Sequence, residues 1–160
     1  MYAWRITSAR RKKTALDGFG AANNAGRWNP LGVRVVYCAQ SLALAVLEVK
    51  VHLPILHQPT EKFVGLELEI DADSIERPAI SGLPSDWHEV PASSVEDTGA
   101  RRFGSDWVQE GRSACLQLPS AIVPSESIFL LNPLHPAFPS SVREIRELPV
   151  FFDPRLWSQR

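Results

Sequence analysis

The sequence predicts one α+β domain, residues 1–160, with a mixed or mostly antiparallel sheet and few helices. Three observations lead to this fold class. A length of 160 residues is sufficient for one independent core. The 13 prolines are spread along the whole chain, which is typical of many short elements joined by ordered turns. Short apolar runs with the pattern of strands outnumber the stretches that have the pattern of helices.

Strands are predicted wherever a short apolar or alternating run is flanked by turn residues. The segments with this pattern are residues 2–7, 33–39, 63–70, 114–118, 128–132 and 148–153. Residues 16–30, which contain Gly18, Gly20 and Gly26, are interpreted as an irregular loop. Residues 75–94 are expected to be a connecting loop with little regular structure.

Two helices are predicted from their caps. Ser41 is a suitable N-cap for a helix from Leu42 to about Leu53, which ends before Pro54. Its apolar residues leave no wide polar face, so we expect most of this helix to be enclosed. A second, short helix is predicted from a cap at Ser105 to Glu110, with Gly111 ending it.

Composition excludes several classes of protein. The formal net charge of -1 gives no general attraction to nucleic acid or to an anionic membrane. Cys38 and Cys115 lie in apolar runs and are expected to be buried thiols. The N-terminus lacks the apolar core of a signal peptide, and no apolar run reaches bilayer length, so a cytoplasmic location is expected. His52 and His57 lack partners at metal-ligand spacing, so no metal site is expected.

Arg27 lies in the segment Gly26-Arg27-Trp28-Asn29. An arginine guanidinium always carries a charge and forms planar bidentate contacts with phosphate, and a flanking glycine lets a bulky ligand approach the backbone. Arg27 is therefore a candidate phosphate-binding residue. The alternative is a structural ion pair with a carboxylate.

Glu48 is the one acid in the apolar helix predicted after Ser41. Burial of a carboxylate is costly, so its position needs a reason. An ionised Glu48 can stabilise the positive charge that develops at a sugar carbon when a glycosidic bond breaks, or it can bind a ribose hydroxyl. The alternative is a structural ion pair with Arg27 or Lys50.

Three further candidates lie in other segments. Tyr37 can stack on a flat heterocycle, although an isolated tyrosine at a strand end is often a core residue. Ser120 follows Pro119 and can bind a phosphate or position an attacking group, although a lone serine is usually a turn residue. Asn132 and His135, in a turn that contains two prolines, can form a wall of the site or have only a turn role.

Several motifs in the chain resemble those of the RES domain family. They are Gly26-Arg27-Trp28-Asn29-Pro30, Val35-Val36-Tyr37, Ser41 to Val49 with His52, Leu118-Pro119-Ser120-Ala121, Val123-Pro124-Ser125-Glu126, Leu130 to Pro133 with His135-Pro136, and Asp153-Pro154-Arg155-Leu156. The motifs occur in the family's order and span nearly the whole chain. The arginine, glutamate and serine that give the family its name match Arg27, Glu48 and Ser120.

The resemblance implies a fold similar to that of ADP-ribosyltransferase toxins and NAD as the substrate. It implies catalytic roles for Arg27, Tyr37, Glu48 and Ser120. Arg27 would hold the NAD phosphates, Tyr37 would stack beside nicotinamide, and Glu48 would serve the ribose, with Ser120 supporting the site. The residues expected to contact NAD are Arg5, Arg27, Trp28, Tyr37 and Asn132.

The resemblance also implies a partner and leaves three functions open. RES proteins are toxins paired with an Xre-type helix-turn-helix antitoxin, so we expect a hetero-oligomer in which the antitoxin blocks the active site. DNA would be bound only through the antitoxin. The first function is cleavage of NAD by hydrolysis or phosphorolysis, which arrests growth. The second is transfer of ADP-ribose to a specific protein, and the third is a non-catalytic role in a repressor complex.

Overall fold

Seven strands form one mixed sheet in the computed structural model, which describes residues 1–53 and 60–157. The strands are β1 (Tyr2–Ser8), β2 (Val36–Ala39), β3 (Phe63–Ile70), β4 (Ile75–Glu76), β5 (Cys115–Pro119), β6 (Ser127–Leu131) and β7 (Val142–Val150). Their order is β4-β5-β6-β2-β1-β3-β7. β4 and β5 are parallel, and all other neighbours in this order are antiparallel.

In the described part of the chain, four α-helices accompany the sheet: α1 (Phe19–Asn23), α2 (Leu42–Lys50), α3 (Gly99–Glu110) and α4 (Phe138–Ser141). The Ser41 hydroxyl accepts a hydrogen bond from the Leu44 amide at 3.1 Å, so the predicted cap of α2 is confirmed. Thr98 caps α3 in the same way. Gly111, with φ of 58°, ends α3 in the left-handed conformation that glycine adopts without steric cost.

Both faces of the sheet are covered by buried residues, so two side chains can meet only if they lie on the same face. Trp4 and Ile6 of β1 pack on the first face, together with residues of α2 and α3. Ala3 of the same strand packs on the second face with Cys38. Because successive side chains of a strand point to opposite faces, the residues of the candidate site must share the first face to meet above it.

Several sequence-based boundaries were wrong. α2 ends at Lys50 rather than near Leu53, and Pro54 lies outside the described residues. α2 is also less enclosed than expected, because Leu47 and Val51 are 38% and 59% exposed. α3 begins six residues before the predicted cap at Ser105, since Gly99 is its first residue.

Other differences concern segments that were assigned to the wrong class. Residues 16–30 contain the short helix α1, and residues 75–94 contain β4. The last strand covers Val142–Val150 rather than residues 148–153. None of the helices in the described ranges combines the length and the apolar character needed to cross a bilayer.

Candidate active site

A short hydrogen bond joins Glu48 and Ser120, which lie 72 residues apart in the sequence. Glu48 is half-buried on the second turn of α2, and its Oε1 accepts a bond from the Ser120 hydroxyl at 2.8 Å. Ser120 follows β5 and is completely buried. Its Oγ also accepts bonds from the amides of Ile122 and Val123 at 3.0 and 3.1 Å. The only hydroxyl proton of Ser120 is therefore directed at the Glu48 carboxylate.

A second acid, Glu126, links the Ser120 turn to the start of α2. The Ser120 amide donates to the Glu126 carbonyl at 2.9 Å. The Glu126 carboxylate accepts a bond from the Ser41 hydroxyl at 2.8 Å. Because Ser41 caps the helix that carries Glu48, these bonds fix α2 and the Ser120 turn relative to each other.

The loop that carries Arg27 is held on both sides of that residue. The Gly26 amide donates to the backbone oxygen of Asn29 at 3.0 Å and to its side-chain oxygen at 3.1 Å. The Trp28 amide donates to the Tyr37 hydroxyl at 3.0 Å. A Cβ at Gly104 of α3 would overlap the Trp28 carbonyl oxygen, so the loop lies directly on that helix. The backbone of Arg27 is thus fixed by its two neighbours.

The half-buried Arg27 side chain lies beneath the segment before α3. Its Nη1 donates to the carbonyl oxygen of Trp87 at 3.3 Å and to that of Glu89. A cavity of about 150 Å³ adjoins it, lined by Arg27 with Asp86, Glu89, Thr98, Gly99 and other residues of the same segment. Burial lowers the pKa of the guanidinium, and the nearby charge of Glu48 partly offsets this change.

Tyr37 lies between the two halves of the site, on the first face of the sheet. Its hydroxyl donates to Asn29 Oδ1 at 2.8 Å and accepts the Trp28 amide, so both functions of the hydroxyl are used within the protein. Burial raises the pKa of this phenol, and the charges of Arg101, Arg27 and Glu48 also act on it. The structure therefore brings Arg27, Tyr37, Glu48 and Ser120 into one neighbourhood.

The alternative ion pairs for Glu48 are not formed. Among the residues that the structure describes, no salt bridge joins Glu48 to Arg27 or to Lys50. The Lys50 ammonium lies 4.6 Å from the centre of the Trp157 ring instead. Glu48 has Ser120 as its hydrogen-bond donor and Arg27 as a more distant charge.

Two of the residues expected to contact NAD, Arg5 and Asn132, lie apart from this neighbourhood, and a third, Trp28, lies within it but is fully buried. Arg5 alternates with Trp4 along β1, so its side chain points to the second face. Burial there lowers the pKa of its guanidinium, and the nearby Cys38 partly offsets this change. Its Nη1 donates to the Tyr37 carbonyl at 3.1 Å. Trp28 has no exposed surface and packs edge-on against Phe103.

Asn132 lies at the end of β6 away from Ser120. It is 2% exposed, and its side-chain oxygen accepts the Leu134 amide at 3.1 Å. The His135 amide in turn donates to the Asn132 carbonyl. Asn132 and His135 thus stabilise the turn after β6, which is the alternative role that their sequence context left open.

Residues that the sequence did not single out complete the site. Asn29 is fully buried, and its amide nitrogen donates to the Ala21 carbonyl at 2.8 Å. Arg101 of α3 is 3% exposed and donates from Nε to the Gly26 carbonyl at 2.9 Å. Asn29 and Glu126 belong to motifs that were recognised, but their partners are far away in the sequence. No comparable motif marked Arg101.

No cluster of three or more histidine, cysteine, aspartate or glutamate side chains suited to a metal ion occurs within residues 1–53 and 60–157. The groups available for chemistry in the described part of the site are the Glu48 and Glu126 carboxylates, the Ser41 and Ser120 hydroxyls, the Tyr37 phenol and the guanidinium groups.

Comparison with known proteins finds relatives that match nearly the whole chain. The chain is 40% identical over 159 residues to the Prs ADP-ribosylating toxin of Sphingobium sp. (strain YBL2), an alignment that covers 96% of this chain and 94% of that protein. It is 36% identical to Toxin Res of Photorhabdus laumondii subsp. laumondii, covering 98% of this chain and 97% of that one.

A solved structure shares the fold. The crystal structure of the M. tuberculosis MbcT–MbcA toxin–antitoxin complex contains a chain that matches with a TM-score of 0.68 at 16% identity. The match covers 98% of this chain and 86% of that chain. The sequence profile of the RES domain matches residues 2–153. From its second residue to Asp153, this chain belongs to the RES domain family.

Proposed function

We propose that this protein is a toxin that cleaves the bond between nicotinamide and ribose in NAD. The observation that carries the proposal is the Glu48–Ser120 pair at 2.8 Å, within electrostatic range of Arg27. A carboxylate, an anion-binding guanidinium and an aromatic ring are the groups that cleavage of a dinucleotide at its anomeric carbon needs. The toxin names of relatives 36–40% identical to this chain support the same proposal.

In the proposed reaction, Glu48 stabilises the positive charge that develops on the ribose. The bond between C1′ and the nicotinamide nitrogen breaks, its electron pair goes to the ring, and neutral nicotinamide leaves. Little acid catalysis is then required. An acceptor attacks C1′ and loses its proton; water gives ADP-ribose, and phosphate gives the corresponding sugar phosphate. Ser120 acts as a positioning residue because its proton bonds Glu48.

Arg27 would bind the pyrophosphate of NAD in this proposal. Its Nη1 donates to two neutral backbone carbonyls. Charged phosphate oxygens form stronger bonds with a guanidinium and would replace them. The adjoining cavity of about 150 Å³ is smaller than a typical ligand pocket, so NAD binding would displace the exposed segment around Glu89.

The first experiment incubates the purified protein with NAD and measures nicotinamide by chromatography. Glu48→Gln is expected to lower kcat by about 10² to 10⁴, because the charge that stabilises the cation is lost. Arg27→Met is expected mainly to raise KM. Glu144→Gln, an exposed acid on β7, is the control and should leave turnover unchanged. Turnover as in the wild type for both site variants would reject the assignment. Parallel reactions with and without phosphate distinguish phosphorolysis from hydrolysis.

Transfer of ADP-ribose to a protein is the second candidate, favoured by the name of the relative that is 40% identical, an ADP-ribosylating toxin. It uses the same bond cleavage with a protein side chain as the acceptor. Incubation of cell extract with labelled NAD separates the two activities. One labelled protein supports transfer, whereas free ADP-ribose or its phosphate supports degradation.

An antitoxin is the proposed partner, since the structural neighbour was solved as a toxin–antitoxin complex. We expect a helix-turn-helix protein of the Xre type that covers the Arg27 and Glu48 region and binds DNA for the complex. Mixing the two proteins should give a hetero-oligomer without NAD turnover. An isolated protein that never consumes NAD would instead support the non-catalytic role in a repressor complex.

A further inference from the structure

Within residues 1–53 and 60–157, Arg101 is a buried cation without an acidic partner among its hydrogen bonds. The residue is 3% exposed, and its guanidinium forms three bonds in this part of the chain, all to backbone carbonyl oxygens. Nε donates to Gly26 at 2.9 Å, and Nη1 donates to Ser93 at 2.8 Å and to Glu96 at 2.6 Å. Burial of a charge without a counter-ion is costly, so a purely structural role would be filled more cheaply by apolar packing.

The three acceptors belong to the two segments that surround Arg27. Gly26 directly precedes Arg27, and its carbonyl is the group that Arg101 holds. Ser93 and Glu96 belong to the segment before α3, and Glu96 lines the same cavity as Arg27. One guanidinium therefore ties the Arg27 loop to the segment that covers the Arg27 side chain.

The charge of Arg101 also reaches the centre of the site. It is one of the charges that act on the Tyr37 hydroxyl, which itself holds the Trp28 amide on the other side of Arg27. Arg27 thus lies between two residues whose backbones are hydrogen-bonded: Arg101 binds the Gly26 carbonyl, and Tyr37 binds the Trp28 amide. These two hydrogen bonds fix the backbone on both sides of Arg27.

From this geometry we infer that Arg101 is a positioning residue for the substrate phosphates. It fixes the backbone of Arg27 relative to residues 93–96 of the covering segment, and it adds a second positive charge behind Arg27. The inference rests on the proposed function, because Arg27 is taken to bind the NAD pyrophosphate. Arg101 touches no reacting atom, so its loss should weaken NAD binding and leave the bond-cleavage step nearly intact.

Two variants test the inference, with a matched control. Arg101→Met keeps most of the apolar stem and removes the three bonds and the charge. Arg101→Lys keeps the charge and loses the planar fork that reaches carbonyls on two segments. Arg112→Met is the control, because Arg112 follows α3 and pairs with the surface acids Glu76 and Glu110.

The measurements are kcat and KM for NAD, together with amide hydrogen exchange of residues 24–30 and 91–98. Arg101→Met should raise KM about tenfold or more with kcat within about threefold, and Arg101→Lys should recover only part of this loss. Both segments should exchange faster than in the control. A wild-type KM, or a loss confined to kcat, would overturn the inference.

Hydrogen exchange separates this inference from the proposed function. If the wild type lacks NAD turnover, the proposed function fails, and with it the role of Arg101 in phosphate binding. Faster exchange in both segments would then support only the first part of the inference, in which the hydrogen bonds of Arg101 connect the two segments. Unchanged exchange in a folded Arg101→Met protein would also refute this connection between the two segments, whatever the activity. Thermal unfolding of each variant identifies any that fails to fold, and Arg101→Lys is the conservative substitute for that case.

Discussion

The polar residues of this site differ in how many of their hydrogen-bond donors and acceptors already have a partner within the protein. The hydroxyls of Ser120 and Tyr37 each donate one bond and accept at least one, all within the protein. The Glu48 carboxylate has one oxygen bonded to Ser120, and among the described residues the Arg27 guanidinium bonds to neutral backbone carbonyls. At the scale of single residues, the two charged side chains are therefore the groups best able to exchange their partners for a substrate.

Gly26 provides a residue-scale test of the Arg27 loop. A Cβ at this position would lie 2.5 Å from the Tyr37 hydroxyl and 2.7 Å from Asn29 Oδ1. Gly26→Ala must therefore move one of these groups, and we expect it to lower the free energy of unfolding by about 1–3 kcal/mol. The displaced loop should also raise KM for NAD. Urea denaturation and steady-state kinetics measure the two effects.

Gly20 is the matched control for this substitution. It lies within α1, and a Cβ there would meet no atom within 4 Å. Gly20→Ala should stabilise the protein by about 0.5–1 kcal/mol, because alanine loses less backbone entropy in a helix. Equal stability changes for the two variants would contradict the packing described around Gly26.

At the scale of elements, α2 is the structure that presents Glu48 to Ser120. Its N-terminus is fixed by Ser41, which both caps the helix and donates to Glu126. Ser41→Ala removes both bonds and should cost about 1–2 kcal/mol in the free energy of unfolding. Since α2 carries Glu48, the proposed catalytic carboxylate, kcat for NAD should fall as well. Urea denaturation and nicotinamide release test the two parts.

Thr98 offers the matched cap on another helix. Its hydroxyl accepts the Arg101 amide, and no second side-chain bond like that of Ser41 is recorded for it among the described residues. Thr98→Ala should therefore cost less stability than Ser41→Ala. If the two alanine variants lose the same free energy, the bond between Ser41 and Glu126 contributes nothing to the position of α2.

The elements show which parts of this fold the sequence could reveal. β3 was predicted with its observed bounds, because an apolar start at Phe63 is followed by alternation of apolar and acidic residues from Leu66 to Ile70. β7 was misplaced, because this edge strand carries four charged residues among nine and contains no long apolar run. Its Arg143 and Arg146 pair with Glu69 and Glu67 of β3 across the sheet. Those pairs depend on a neighbour more than 70 residues away, and no local pattern reports them.

The same limit applied to the site. The RES motifs identified Arg27 and Glu48 from local sequence, but they could not show that Arg5 faces away. That result follows from the strand register, which places Arg5 of β1 on the opposite face from Trp4. The role of Arg101 depends on Gly26, 75 residues earlier in the chain. Residue type and spacing predicted candidate groups for the chemistry, whereas the fold determines which of these groups lie together.

At the scale of the whole molecule, the sheet buries three weak acids that are neutral at pH 7. Burial raises the pKa of the Cys38 thiol from 9.0 to about 12. It also raises the pKa of Cys115 and that of Tyr37, which belong to β5 and β2. Each group keeps its proton in the folded state at a pH where the unfolded chain would release it.

This difference predicts a loss of stability in alkaline solution. Above about pH 9 the unfolded state binds fewer protons than the folded state, so the free energy of unfolding falls as the pH rises. Each thiol should contribute about 1.4 kcal/mol per pH unit, and the Cys38 contribution is complete near its folded pKa of about 12. Below pH 8 these groups should produce no pH dependence.

The two thiols can be separated from the other groups that titrate in this range. A Cys38→Ala, Cys115→Ala variant loses some packing at every pH, because both side chains are buried. Its stability should nevertheless fall less steeply than that of the wild type between pH 8 and 10.5. Urea denaturation under reducing conditions at both pH values measures the two slopes. Identical slopes would mean that the thiols ionise as readily in the folded protein as in the unfolded chain. That result would contradict their burial on the second face of the sheet.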